Sequence, residues 1–562
     1  MQTFSHILKG HFDENPDRVC IYLLHPNQPD LPVTYRDLMR GAAGYAKTFK
    51  KEGILPGEVL VLILQHGIDL VFAYFGAILH GAIPSIMPFL TEKLLPERYR
   101  ADLASLISIT RPTGVVTYED FEDEVRSALM PEDSVRTVIL SGHIESPCNP
   151  DFESQGGMGR NTNDIVLLQH SSGTTGLQKG IALSHRAVIN QLESYRVVLG
   201  LNEEKDIVVS WLPLYHDMGL IACFILPILL KVPIVLLSPF DWIRAPYRLL
   251  QAVSTYKGTL SWLPNFAFNF CALKIRDRQL EGVDLSSWRA VINCSEPMRL
   301  ESNQAFFDRF ERFGLRYEAL ATCYAMAENV FAVTQGGIGE SVKVDEIDRD
   351  GLHVERVART PIDGKATLKM LSAGKPIPNV KVQILDGDGI PLPDRIIGEI
   401  ALNSNCMLTG YYNRPEETRK AFLKGWYLTG DYGYLADGEI YITGRKKDLI
   451  IVGGKNVYPQ DIELLAMEVP KAHPGRVVVF GVFNEELGTE DVVLIAEVRT
   501  EDPEENERIS DQIRQVVTRG SAIALRQVLL VGEKWLIKTS SGKIARLANR
   551  EKYLKGIKST DH

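Results

Sequence analysis

The sequence predicts an α/β fold on largely parallel sheets, followed by a β-rich stretch and a smaller α+β part. Three observations carry that reading. Short β-branched runs alternate with longer amphipathic stretches through the first half of the chain, the pattern of strand–helix–strand units. After Gly374 the runs shorten and are separated by Gly, Asp and Pro, as in antiparallel strands joined by turns. The charged string Gly444-Arg-Lys-Lys-Asp448 then separates two apolar runs, so a boundary falls there, between residues 1–446 and 447–562.

In chain order, Val59 to Leu64 reads as a strand and Phe72 to Leu79 as part of a helix. Gly114 to Val116, Thr137 to Leu140, Ile165 to Leu168 and Ile234 to Leu237 read as further strands. The most apolar region, Leu220 to Leu237, is broken by Pro227, Lys231 and Pro233, which favours buried helix and strand over a transmembrane segment. Val380 to Leu385, Gly398 to Leu402 and Glu439 to Thr443 form the β-rich stretch, and Leu449 to Val452 opens the last part. The polar run Glu501 to Asn506 reads as a solvated loop between a strand and a helix.

With 562 residues, the chain exceeds what one core usually supports. A net charge of −9 offers no basic surface, which argues against nucleic acid. The seven cysteines contain no CxxC pair and several sit inside apolar strings, as reduced core residues of a cytoplasmic protein do. The opening MQTFSHILKGHFDENPDR lacks the basic head and apolar stretch of a signal peptide. The twelve histidines show no HExxH or other transition-metal spacing.

The ten residues Ser171 to Gly180, SSGTTGLQKG, combine three glycines, four hydroxyls and one lysine directly after an apolar run. Glycines let backbone N–H groups turn toward an anion, hydroxyls add donors and Lys179 adds charge, so the stretch is suited to wrap a polyphosphate. It is not a Walker A loop, because no Gly-Lys-Ser/Thr follows a four-residue spacer. Four further strings follow in order: Trp211-Leu-Pro-Leu-Tyr-His-Asp-Met-Gly-Leu220, Cys323-Tyr-Ala-Met-Ala-Glu328, Gly425-Trp-Tyr-Leu-Thr-Gly-Asp431 and Thr539-Ser-Ser-Gly-Lys-Ile-Ala-Arg546.

Together these strings resemble the adenylate-forming superfamily, which includes acyl-CoA synthetases, firefly luciferase and the adenylation domains of peptide synthetases. The resemblance implies a large N-terminal adenylation domain of two parallel-type sheets with helices plus a β-rich subdomain, and a small mobile C-terminal domain carrying a catalytic lysine. It implies joining a carboxylate to ATP with Mg²⁺, release of pyrophosphate, and acyl transfer to a thiol. Ser171, Ser172, Gly173, Thr174, Thr175, Gly176 and Lys179 would contact phosphates. Glu328, with Thr174, would hold Mg²⁺, for which a carboxylate is a suitable hard ligand. Asp431 would accept the ribose hydroxyls with Arg445 beside them, and Tyr324 would lie along the adenine.

By the same resemblance Lys543 would bridge the carboxylate and α-phosphate, where a point cation offsets charge as two anions meet. Lys447 would be the hinge about which the C-terminal domain turns. His216 would sit near the acyl carboxylate; the plainer reading is a packed loop histidine. Trp242, Ser261, Trp262, Asn265, Phe266 and Phe268 would line an acyl pocket, although core packing explains each aromatic equally well.

Within the superfamily, Leu214-Tyr-His-Asp-Met-Gly-Leu220, Leu263-Pro-Asn-Phe-Ala-Phe268 and Asn456-Val-Tyr-Pro-Gln-Asp-Ile-Glu463 resemble the fatty acyl-AMP ligases. These ligases pass the acyl group to the phosphopantetheine of an acyl carrier protein, which here would act in trans. The long connection 329–373 is similar to their insertion, proposed to restrain the C-terminal domain and disfavour CoA; a tolerated surface loop is the plainer reading. Gly453-Gly454-Lys455 departs from the Arg-Gly-Arg/Lys of those ligases and is closer to CoA ligases. Ile537 and Gln178 stand where prolines are customary. A medium- or long-chain acyl-CoA ligase therefore stays open, with an amino-acid adenylating enzyme or a silent nucleotide-binding protein as weaker alternatives.

Overall fold

The computed structural model describes residues 2–26, 28–89, 96–171, 179–361, 366–452, 455–471, 475–485, 489–500, 502–521, 523–539 and 543–560. Among the described residues, one sheet has nine strands and a second has seven; both are parallel in their middles, the first with antiparallel pairs at both edges and the second at one edge only. The seven-stranded sheet is built on Val59–Leu62, Ile83–Ile86 and Gly114–Thr117, whose residues are all buried. Helices cover both faces of such a sheet, which is why these runs are apolar throughout and do not alternate.

Local signals set the helices. Tyr35–Lys51 starts on a capping box between Thr34 and Asp37. Ile68–His80 ends at Gly81, left-handed with φ 89°. These two helices pack so closely that a Cβ on Gly76 would come within 2.5 Å of Tyr45 Cβ. The apolar region after Asp217 forms a fully buried π-helix, Met218–Ile225, then the helix Leu226–Leu229 and the strand Ile234–Leu236.

Both large sheets feed one core, with Trp242, Trp262, Trp288 and Tyr195 among its largest fully buried side chains. The β-rich stretch is an antiparallel five-stranded sheet of Val380–Leu385, Gly398–Ser404, Phe422–Leu423, Trp426–Ala436 and Glu439–Arg445. Two separate clusters consist entirely of residues from Ile450 onward, around the strands Val477–Asn484, Thr489–Glu497 and Leu525–Val531. The polar run at 501–506 is shorter as a loop than its composition predicts, because the helix Pro503–Ser521 begins inside it with Glu504 and Glu505 in its first turn.

The seven cysteines are free, and all but Cys148 are buried. Among the described residues, no helix is long and apolar enough to cross a membrane.

Candidate active site

The site gathers at the ends of the parallel strands, where an open α/β sheet presents its loops. The strand Leu320–Ala325 carries Tyr324, and the 3-10 turn Ala327–Asn329 that follows carries Glu328. Val330 next to it is a buried β-branched residue at φ 65°, a costly backbone held by its surroundings. The Tyr324 hydroxyl donates to Asp431 Oδ2 at 2.7 Å. Asp431 and Arg445 face each other across the antiparallel strands Trp426–Ala436 and Glu439–Arg445, which brings Arg445 Nε to 3.5 Å from Asp431 Oδ1. Tyr324, more than a hundred positions before the other two, thus joins Asp431 and Arg445 in one polar corner open on the Arg445 side.

Glu328 accepts a hydrogen bond at Oε1 from the Tyr411 hydroxyl, 3.1 Å away, and that hydroxyl meets Tyr427 at 3.0 Å. Burial raises the Glu328 carboxyl above its ordinary range, opposed by its own backbone and the Tyr411 hydroxyl. A carboxylate held this way, also pushed up by the charge of Asp217, favours a nearby cation. The residues present therefore fit Mg²⁺ at Glu328.

The loop Trp211 to Asp217 leads into the π-helix, and Gly219 is required there because a Cβ would fall 2.3 Å from Pro213 O. His216 Nδ1 lies 2.8 Å from Asp217 Oδ1, and the Asp217 carboxylate also accepts from Met218 N–H at 2.8 Å. Burial alone would raise the Asp217 carboxyl, but His216, the charge of Lys543 and the Met218 amide together hold it below its ordinary value. Lys543 reaches this point from the far end of the chain, with Nζ donating to Ser295 O at 2.6 Å. Ser295 takes φ 69° just after the strand Ala290–Cys294.

Ser171 and Lys179 are register partners on adjacent antiparallel strands. The predicted phosphate contacts Ser172, Gly173, Thr174, Thr175 and Gly176 lie outside the described residues, as do Gly453 and Gly454. Lys179 Nζ sits 2.8 Å from Glu417 Oε2 and 4.5 Å above the Tyr411 ring. Lys447 lies exposed in the 3-10 turn Lys446–Asp448, between the five-stranded sheet and the last strands. Its neighbour Lys446 is tied to Glu399 Oε2 at 2.7 Å.

The predicted pocket residues divide between two environments. Trp242 stacks on Trp211, centroids 3.6 Å apart and planes within 2°, and Phe266 meets both rings edge-on at about 6 Å. Phe268 lies on the other side of the helix Asn265–Lys274, against Phe306. Ser261 is fully buried and donates to Val209 O at 2.8 Å, while Trp262 Nε1 donates to Tyr195. The Asn265 amide is occupied by Ser302, Asn293 and the Arg299 backbone. Trp211, Tyr411, Glu417 and Ser295 were missed as individual site residues. Only Trp211 had a signal, its place at the head of the His216 string.

The family profile described as AMP-binding enzyme matches residues 8–412. The medium-chain-fatty-acid–[acyl-carrier-protein] ligase JamA of Moorena producens (strain JHB) is 32% identical, covering 93% of this chain and 90% of that protein. The long-chain-fatty-acid–AMP ligase FadD32 of Mycobacterium marinum is 30% identical, covering 89% of this chain and 86% of the other. A solved structure from work on the fatty acyl-adenylate ligases of E. coli and L. pneumophila superposes with a TM-score of 0.90 at 26% identity, over 100% of this chain and 99% of that one. The family match over residues 8–412 and the two long alignments at 30% identity or more lead to one conclusion: this chain belongs to the AMP-binding enzyme family and is an adenylate-forming ligase.

Proposed function

We propose that the protein activates a fatty acid with ATP to acyl-AMP and then passes the acyl group to the phosphopantetheine thiol of a carrier protein acting in trans. The observation that carries this reading is the convergence of Lys543 with Asp217, His216 and Ser295, beside the corner of Tyr324, Asp431 and Arg445. The relatives support this reading: the name of JamA carries a fatty acid and an acyl-carrier-protein, and that of FadD32 a fatty acid and AMP.

In this reading Asp431 accepts the ribose hydroxyls, Arg445 flanks them and Tyr324 lies along the adenine. A carboxylate oxygen of the acid attacks the α-phosphorus, the α–β bridging bond breaks, and its electron pair leaves with pyrophosphate. Lys543 offsets the charge of two anions forced together, and because Ser295 already holds it there, little reorganisation is needed. Glu328 would hold Mg²⁺, which supplies charge neutralisation at the phosphates when bound. His216, oriented by Asp217, borders the acyl carboxylate, and the Trp211–Trp242–Phe266 wall faces the apolar substrate.

We further assign residues 1–446 and 447–562 as two domains, with Lys447 as the hinge, on the separation of the clusters after Ile450 from the large core. The free cysteines fit a cytoplasmic setting. A CoA ligase is the second reading, favoured by Gly453 and Gly454.

Mass-resolved product analysis decides between them, with ATP, Mg²⁺ and a panel of fatty acids, run alone, with CoA, and with a phosphopantetheinylated carrier protein. Acyl-AMP that persists in CoA but discharges onto the carrier is the expected result. Rapid acyl-CoA formation would make the protein a CoA ligase.

A further inference from the structure

Lys179 has an anionic partner within the chain. Its ammonium lies 2.8 Å from Glu417 Oε2, both side chains about one-third exposed, and 4.5 Å above the Tyr411 ring. Glu417 is not a wandering surface acid. Its other oxygen accepts from Arg414 Nη1 at 2.7 Å. Its short helix, Pro415–Lys420, is fastened to the strand Gly410–Tyr411, because the Tyr411 amide donates to Thr418 Oγ1 at 2.9 Å. That strand pairs with Lys179–Ser184, with Tyr411 opposite Ile181. Backbone pairing on one side and a side-chain bond on the other thus hold the carboxylate at the ammonium.

The same pairing reaches the proposed metal carboxylate. Tyr411 carries Lys179 on its ring face and Glu328 on its hydroxyl, so Glu417, Lys179, Tyr411 and Glu328 form one connected row. Lys179, then Arg414, holds the Glu417 carboxyl below its ordinary range, so it is ionised at neutral pH. A triphosphate approaching Lys179 meets a fixed negative charge competing for the same ammonium, and like charges at that range repel.

We propose that Glu417 is a positioning residue that holds Lys179 when the polyphosphate site is empty and sets how tightly that site grips a polyanion. ATP must take Lys179 from Glu417 on entry, and the lysine returns to Glu417 as pyrophosphate leaves. Ground-state binding is weakened and product release is eased by the same contact. The inference rests on the reading of Lys179 as a phosphate ligand.

The test is calorimetric binding of ATP, pyrophosphate and AMP to the full chain, alongside the KM for ATP and the Ki for pyrophosphate in acyl-AMP formation. In Glu417→Gln, ATP and pyrophosphate both bind about two- to fivefold tighter, the worth of one partly exposed ion pair. AMP, which lacks the β- and γ-phosphates, changes little. Glu417→Asp, still charged, returns both affinities toward wild type. Glu416→Gln, which removes the neighbouring acid paired with Arg419, leaves them unchanged.

Unchanged or weaker pyrophosphate binding in Glu417→Gln, in protein of wild-type Tm, overturns the proposal, as does equal tightening by Glu416→Gln. A wild-type chain that binds ATP yet forms no acyl-AMP with any acid overturns the enzymatic reading instead. The binding comparison still decides the role of Glu417 in that case.

Discussion

Lys543 and Ser295 are 248 positions apart, and their meeting is a fact of the fold that no motif contains. The string Thr539-Ser-Ser-Gly-Lys543 marks the lysine by its resemblance to a family motif. Its acceptor is an ordinary serine whose carbonyl is turned by a left-handed backbone. Sequence motifs expose residues that carry chemistry, whereas carbonyls, cross-strand partners such as Asp431 with Arg445, and the ring of Tyr411 under Lys179 depend on register. Lys543→Ala should lower acyl-AMP formation by about 10²- to 10³-fold, the usual effect of deleting a preorganised charge at the reacting centre. ATP affinity should stay within about threefold, because the contact matters most where charge develops. Pyrophosphate release and ATP calorimetry measure the two quantities, and retained adenylation would remove Lys543 from the mechanism.

At the scale of elements, the strands were readable to within a few residues because apolar β-branched runs end sharply at Gly, Pro and Asp. Val380–Leu385 and Thr137–Leu140 match their predicted bounds. The connection 329–373 was legible only as length. It begins as the core strand Ala332–Gly336, and the part that departs is the antiparallel pair Val344–Asp348 and Thr367–Leu371 with the π-turn Gly351–Glu355 between. Two of its side chains reach the last part of the chain: Arg349 donates to Gly520 O, and His353 lies 3.7 Å from Asp461 and edge-on to Tyr458. Alternation in a short hairpin does not tell which side chains will find a partner on another module. If these contacts restrain the C-terminal part, Arg349→Ala with His353→Ala should increase its opening about five- to thirtyfold, at ~0.5–1 kcal/mol per side chain removed. Tryptic cleavage at Arg445 to Lys447 should accelerate to match, because cleavage tracks the open population when closing is fast. An unchanged cleavage rate would leave the insertion without a restraining role.

For the whole molecule, the junction of the large core with the clusters after Ile450 is polar, and polar junctions answer to pH. Arg299, at the start of the helix Leu300–Phe310, donates to Gln460 O at 3.2 Å and faces Asp461 in the first turn of the helix Pro459–Met467. Asp461 is also faced by Glu463 and His353. Burial raises its carboxyl from 3.8 to about 6, against the pull of Arg299 and with the push of Glu463. A carboxyl raised on folding adds stability that is fully present below about pH 3.8 and is lost as pH rises through about 6. Burial lowers His353 from 6.5 to about 4, so its own linkage runs through the same window with the opposite sign, and it is shared by wild type and the Asn variant. Asp461→Asn keeps the side chain neutral at every pH and removes this term. Its melting curve should therefore coincide with that of wild type near pH 4, separate between pH 4 and 6, and lie higher at pH 7.5. The comparison is sharper when unfolding of the clusters after Ile450 is followed separately, because Asp461 lies in that part of the chain and its partner Arg299 does not. An Asn variant that melts lower at pH 7.5 would mean that attraction to Arg299 outweighs the burial of Asp461. The junction would then be held by that ion pair, and closure of the C-terminal part over the site would weaken on acidification.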